Sequence, residues 1–171
     1  LTFSIKRYWD INYKLTDHSI TIEQAKEKFR DLFYTSVSRR LRSDVPVGSS
    51  LSGGLDSSAV VAVIDDLNKS KSIKQSTFSA IFPGFEKDES HYINMLLSTI
   101  NVNPHFTSPD ADTMLKELNR CFYHQEEPFG SASILAQYEV LKLAKQNNVT
   151  VLLDGQGADE LDACIRIFVL P

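Results

Sequence analysis

Hydrophobic and polar positions follow two rhythms along this chain, and the rhythm changes where Gly, Pro or Asp intervene. From Thr21 onward, Ile22, Ala25, Phe29, Leu32, Phe33, Val37 and Leu41 recur every three or four positions. That spacing predicts a helix with one apolar face, opened by a Thr21–Gln24 capping box and stopped before Pro46. Residues 45–51 then read as a strand. Residues 57–67 read as a helix that is apolar nearly all round, and therefore buried. A second strand is predicted over 76–82. Asp88 is expected to N-cap a helix over 88–100. A short strand at 104–107, helices over 111–124 and 131–146, and a strand at 150–154 complete the pattern.

Strands separated by helices at this spacing imply right-handed crossovers and a parallel sheet, so the fold class is α/β. Ligands of such sheets bind beyond the carboxyl ends of the strands. Two predicted strands end there in polar, glycine-rich segments, residues 52–58 and 154–160. The two loops are expected to face each other across one crevice.

Composition narrows the function classes. The 171 residues suffice for one domain with a core, and the 42% hydrophobic and 23% charged fractions are those of a globular protein. A net charge of −4 gives no basic footprint for nucleic acid. The basic run Arg39-Arg40-Leu41-Arg42 sits at a helix end, where cations complement the dipole. Cys121 and Cys164 are far apart, and His18, His91, His105 and His124 lack zinc-ligand spacing. No apolar run approaches the ~20 residues of a membrane span, and no leader peptide is visible. A cytoplasmic location is the expectation. The chain begins at Leu1 rather than Met. It is read as processed or as a piece of something longer.

The segment Leu51-Ser-Gly-Gly-Leu-Asp-Ser-Ser58 carries the clearest chemistry. Gly53 and Gly54 open backbone conformations closed to other residues, which lets successive amides point at one anion. The following helix adds its positive end, and Ser52, Ser57 and Ser58 add hydroxyls. Together they form a phosphate cradle, although not one of the lysine-bearing P-loop type. Asp56 would repel phosphates unless a divalent cation intervened, and magnesium takes carboxylate and phosphate ligands together.

The same segment resembles the pyrophosphate loop of the ATP pyrophosphatase (PP-loop) group, whose members cut ATP between its α and β phosphates. Arg7-Tyr-Trp-Asp10, Leu41-Arg-Ser-Asp-Val-Pro-Val-Gly48 and Asp154-Gly-Gln-Gly-Ala-Asp-Glu-Leu161 extend the resemblance to the synthetase domain of asparagine synthetase over about residues 5–161. It implies a partial three-layer fold like that of the adenine-nucleotide alpha hydrolases. It also implies ATP and Mg²⁺, and acyl-adenylate formation on aspartate followed by attack of ammonia. Leu51, Ser52, Gly53, Gly54, Ser57 and Ser58 would then line the nucleotide and pyrophosphate. Asp56 and Asp159 would hold magnesium, Ala80 would read adenine through its backbone, and Asp154 and Gly155 would border nucleotide and acceptor.

The resemblance further implies that residues 1–20 are a linker following a glutaminase domain of the parent chain, and residues 21–171 a C-terminally truncated synthetase domain. Three departures are expected to matter. Gln156 stands where the family carries glutamate, and with Glu160 it is placed behind the reacting groups. Residues 162–171 lack the family's glycines. The family's lysine lies beyond the end of this chain, so nucleotide binding without turnover is the expectation. Glu126-Glu127-Pro128 is equally a segment near the substrate or a solvated turn. Lys87 lies in no matching motif. The rival readings are a related ligase acting on another carboxylate (a lactam, peptide or sugar acid) and a non-catalytic nucleotide-binding fragment.

Overall fold

In a computed structural model the described residues are 2–9, 19–71 and 73–158. The chain divides into two units, Leu1–Thr35 and Ser36–Pro171. The first holds most of helix α1 (Ile22–Arg40). Its capping box is formed as expected. The Thr21 amide donates to Gln24 Oε1 at 2.8 Å and the Gln24 amide to Thr21 Oγ1 at 3.2 Å. Along the apolar face only Val37 is buried. Ile22, Phe29 and Leu32 are exposed, and Phe29 stacks on Phe33 at 6.0 Å.

The second unit contains a four-stranded sheet. Its strands are β1 (Val47–Ser50), β2 (Gln75–Ala80), β3 (Val102–Thr107) and β4 (Val151–Leu153), ordered β3-β2-β1-β4. Every pairing is parallel, with Ser49 opposite Thr77, Phe78 opposite His105 and Val47 opposite Val151. The chain steps outward from β1 to β3 and then returns to the other side of β1. That reversal creates a switch point between β1 and β4, where their carboxyl ends diverge.

Helices cover both faces. Helix α2 (Leu55–Asn68) and helix α3 (Ser90–Leu97) bury Val61 and Ile93 against Leu51, with Ile81, Leu96, Ile100 and Val102 around them. Helix α5 (Ala132–Gln146) buries Val140 and Ala144 with Phe78 and Val149 on the opposite face, and helix α4 (Ala111–Gln125) packs on α5. The alternation of β2 explains this division. Phe78 and Ala80 point to α5, while Gln75, Thr77 and Ser79 share the α2 side. There Ser79 Oγ donates to the Leu51 carbonyl at 2.6 Å, and Gln75 Nε2 to Ser49 Oγ at 3.2 Å. These buried polar bonds link β2 to β1 just before the glycine loop.

Several boundaries differ from the sequence reading. Helix α2 begins two residues early, with Gly54 as its N-cap. Strand β3 extends back to Val102, because Pro104 is tolerated on an edge strand. Asp88 is not an N-cap. Glu89 occupies that position, while Asp88 accepts from the Phe82 amide at 3.0 Å and from Ser90 Oγ. Those bonds hold its carboxyl below the usual carboxylate range, Ser90 being the larger cause. Asp88 thus closes the connection between β2 and α3. No helix among the described residues is long and apolar enough to cross a membrane.

Candidate nucleotide site

The glycine loop leaves the buried end of β1 and turns straight into α2. The Leu51 amide donates to the Phe78 carbonyl at 2.9 Å, continuing the sheet one residue beyond the strand. The turn is then shaped by two serines. Ser57 Oγ donates to the Gly54 carbonyl at 3.2 Å and accepts from the Ser52 amide at 3.3 Å. It also meets Ser52 Oγ at 3.0 Å, and Ser52 Oγ accepts from the Gly54 amide at 3.3 Å. A hydroxyl has one proton and two lone pairs. With its proton on Gly54, Ser57 accepts twice and is fully satisfied, in keeping with its burial. Ser57 therefore shapes the loop through its hydroxyl.

The first helical bond runs from the Ser58 amide to the Gly54 carbonyl at 3.1 Å. The amides of Leu55, Asp56 and Ser57 consequently have no helical acceptor. They form the positive end of α2, where an anion binds most readily.

The two glycines have different tasks. Gly53 has φ +92°, and a Cβ there would stand 2.8 Å from Glu89 Cβ and 2.9 Å from the Glu89 carbonyl oxygen. Gly54 has φ −68°, and its nearest neighbour would be Ser52 Oγ at 3.4 Å, an ordinary contact. Gly53 permits the fold of the loop against α3. Gly54 leaves open space on the side of the cavity that it lines.

The second loop follows β4 and meets the first. A Cβ on Gly155 would stand 2.9 Å from the Ser57 amide nitrogen and 3.0 Å from the Asp56 carbonyl carbon. The facing of the two loops expected from sequence is therefore a backbone contact. Two neighbouring cavities open around it. The larger, about 320 Å³, runs from Leu51 and Ser52 past Phe78, Ala80, Phe82 and Lys87 to Val140 on α5. The smaller, about 260 Å³, is lined by Ser52, Gly54, Asp56, Ser57, Gly155 and Gly157. Ser52, Glu89, Asp154 and Gln156 line both.

Most of the expected residues converge here. Leu51 and Ala80 border the larger cavity, Asp56, Ser57, Gly54 and Gly155 the smaller, and Ser52 and Asp154 both. Gly53 and Ser58 support the loop without lining either. Asp159 and Glu160 lie outside the described residues. Glu126 is the left-handed C-cap of α4, with φ +61°, and neither it nor Glu127 borders either of these two cavities. Sequence reasoning missed the α5 wall, set Lys87 aside, and read Asp88-Glu89 as a helix cap rather than a ligand; Glu89 does stand at the N-cap position of α3, and it also lines both cavities. The connection over 81–89 has no recognisable motif. Its close approach to Gly53 is a tertiary fact that only the positive φ of that glycine could have hinted at.

The described donors suit a nucleotide carrying magnesium. The small cavity joins free helix amides to the Asp56 carboxylate. Magnesium is bound by one or two carboxylates, with phosphate oxygens and water completing its shell. Among the described residues no group of three or more His, Cys, Asp or Glu could hold an ion alone.

A family profile described as Asparagine synthase matches residues 28–170. The chain is 37% identical over 159 residues to a putative glutamine-hydrolyzing asparagine synthetase 2 of Methanocaldococcus jannaschii, covering 90% of this chain and 29% of that protein. It is 36% identical over 173 residues to the glutamine-hydrolyzing asparagine synthetase 1 of Bacillus subtilis, covering 98% of this chain and 26% of that protein. It is 27% identical to the amidase chyE of Penicillium rubens, over 91% of this chain and 25% of that protein. The chain thus spans between a quarter and a third of the length of these relatives. With a parallel sheet whose switch point carries the paired glycine loops, this chain belongs to the asparagine synthase family.

Proposed function

We propose that this chain is the nucleotide-binding part of an ATP-dependent amide-forming ligase. The reaction is adenylation of the side-chain carboxylate of aspartate, with release of pyrophosphate and attack of ammonia to give asparagine. The observation that carries this reading is the contact of Gly155 with the Asp56–Ser57 peptide, which joins two glycine loops around adjoining cavities.

The adenylate belongs in the larger cavity, with its base near Ala80, Phe78 and Val140. The β and γ phosphates belong in the smaller one, against the free amides of α2. A carboxylate at neutral pH resists attack by ammonia, and transfer to the α phosphate supplies a leaving group. The chain's task in that step is to stabilise charge on the departing pyrophosphate. The amides of residues 55–57 do so from a rigid turn, held by Ser57. Asp56, with Asp159, would hold magnesium, which supplies further positive charge when bound. Gln156, lining both cavities, orients groups by hydrogen bonding without charge. Ammonia would come from a glutaminase domain in the parent chain, a reading supported by relatives named as glutamine-hydrolyzing. Residues 1–20 would be the linker to it, and a cytoplasmic location belongs to the same proposal.

Isothermal titration with ATP and Mg²⁺ tests the nucleotide reading. Saturable binding that weakens when magnesium is withheld is expected. Absence of binding would overturn it. A relative named as an amidase rather than an asparagine synthetase leaves a second acceptor reading, a carboxylate other than aspartate. Mass analysis of the amide formed by the parent protein from ATP, ammonium and competing carboxylic acids separates the two.

A further inference from the structure

The connection between β2 and α3 brings a carboxylate to the seam of the two cavities. We propose that Glu89 reads the ribose of the bound nucleotide, accepting from its 2′- or 3′-hydroxyl, and so selects ribonucleotides over deoxyribonucleotides. This rests on the nucleotide reading above.

If the base occupies the larger cavity and the outer phosphates the smaller, the sugar must cross the seam. Four residues line both cavities, and two of them, Glu89 and Asp154, are carboxylates. Ionised carboxylates only accept hydrogen bonds. They repel phosphate and match hydroxyl donors, so at the seam the sugar is their complement.

Glu89 is also well held. Its carbonyl accepts from the Tyr92 amide at 3.0 Å and the Ile93 amide at 3.2 Å, its backbone abuts Gly53, and Asp88 closes the connection that precedes it. Its side chain makes no capping bond to α3, although it stands at the N-cap position. The acceptor is therefore fixed at its base and uncommitted at its tip. Asp154 approaches the same seam from the β4 loop, so a diol would lie between acceptors on two separate loops.

The test compares ATP, 2′-deoxy-ATP and 3′-deoxy-ATP with Mg²⁺ by titration calorimetry, using the whole chain. Hydrogen bonds to charged groups support a preference of about tenfold or more for ATP over at least one deoxy analogue. Glu89→Ala keeps the Cβ that packs on Gly53 and should bring that ratio closer to one, weakening ATP more than the analogue that lacks the contacted hydroxyl. Glu89→Gln, which keeps the side chain's shape, should give an intermediate ratio and guards against misfolding of the alanine variant. A wild type that binds all three nucleotides equally would overturn the assignment. So would variants that keep the wild-type ratio. Failure of the wild type to bind ATP at all would instead remove the nucleotide reading, and this proposal with it.

Discussion

Gly155 lies so close to Ser57 that a single added carbon would stand 2.9 Å from the Ser57 amide nitrogen. The contact is with backbone, which cannot swing aside as a side chain can. Gly155→Ala should push the second loop off the first turn of α2. The expected cost is about 1–3 kcal/mol, as for other overpacked sites, with a lowered melting temperature. Nucleotide affinity should fall as well, because the wall of the phosphate cavity moves. Unchanged thermal unfolding and calorimetric affinity would contradict the close approach.

The neighbouring glycines should separate stability from binding. Gly53→Ala forces a Cβ onto a residue at φ +92° and against Glu89, so it should destabilise by about 1–3 kcal/mol. Gly54→Ala meets only an ordinary contact. It should leave chemical denaturation within about 0.5 kcal/mol of wild type, yet weaken ATP binding by narrowing the approach to the amides. The reverse pattern would mean that their roles are exchanged.

Magnesium dependence offers a third measurement. Asp56→Asn replaces a charged hard ligand by a neutral amide oxygen. The ratio of ATP affinities with and without Mg²⁺ should shrink markedly. Because Asp56 lines the cavity at an exposed helix end, the fold should persist, which circular dichroism would check.

A fourth prediction concerns pH, away from the site. Lys142 on α5 donates to Glu117 on α4 at 2.9 Å and to Glu139 at 3.2 Å. The hydrogen bond from Lys142 holds the Glu117 carboxyl below its ordinary value of 4.5, and that bond also raises the Lys142 ammonium above 10.5. A lowered carboxylate stabilises the fold above its unfolded value, and this contribution is lost as pH falls from about 4.5 through the folded value. A raised lysine contributes below its unfolded value and loses that contribution as pH climbs from about 10.5 through its folded one. Lys142→Met leaves Glu117 and the buried Glu139 without their shared cation. It should lower stability at pH 7 and flatten or reverse the decline in acid, as seen in denaturation midpoints from pH 3 to 7.

Local chemistry made much of this legible in the sequence. Thr21 and Gln24 bond as their spacing implies, since a capping box needs only four consecutive residues. The strand–loop–helix around Gly53 was equally readable. Asp88 was not, because its partners are Phe82, across a loop, and Ser90. The stripe of Ile22, Phe29 and Leu32 reports that α1 is amphipathic, but periodicity carries no information about what covers the face. Lys87 and Glu89 reach the cavities through the packing of α3 on the glycine loop, a relationship between distant segments. The bonds of Ser57 Oγ to the Ser52 amide and the Gly54 carbonyl were not readable, because a hydroxyl's sequence position does not reveal its partners.

The return of the chain from β3 to β4 also governs how the protein reaches its native state. Val47 pairs with Val151, residues about a hundred positions apart, whereas β2 and β3 pair across a much shorter separation. During synthesis the glycine loop and three strands emerge long before β4. Until then β1 presents an unpaired edge, open to intermolecular association. Docking of β4 covers that edge and, in the same event, brings Gly155 onto Ser57. Closure of the sheet and assembly of the phosphate cradle should therefore fall together late in folding, and substitutions at this contact are expected to slow the last phase of refolding more than the first.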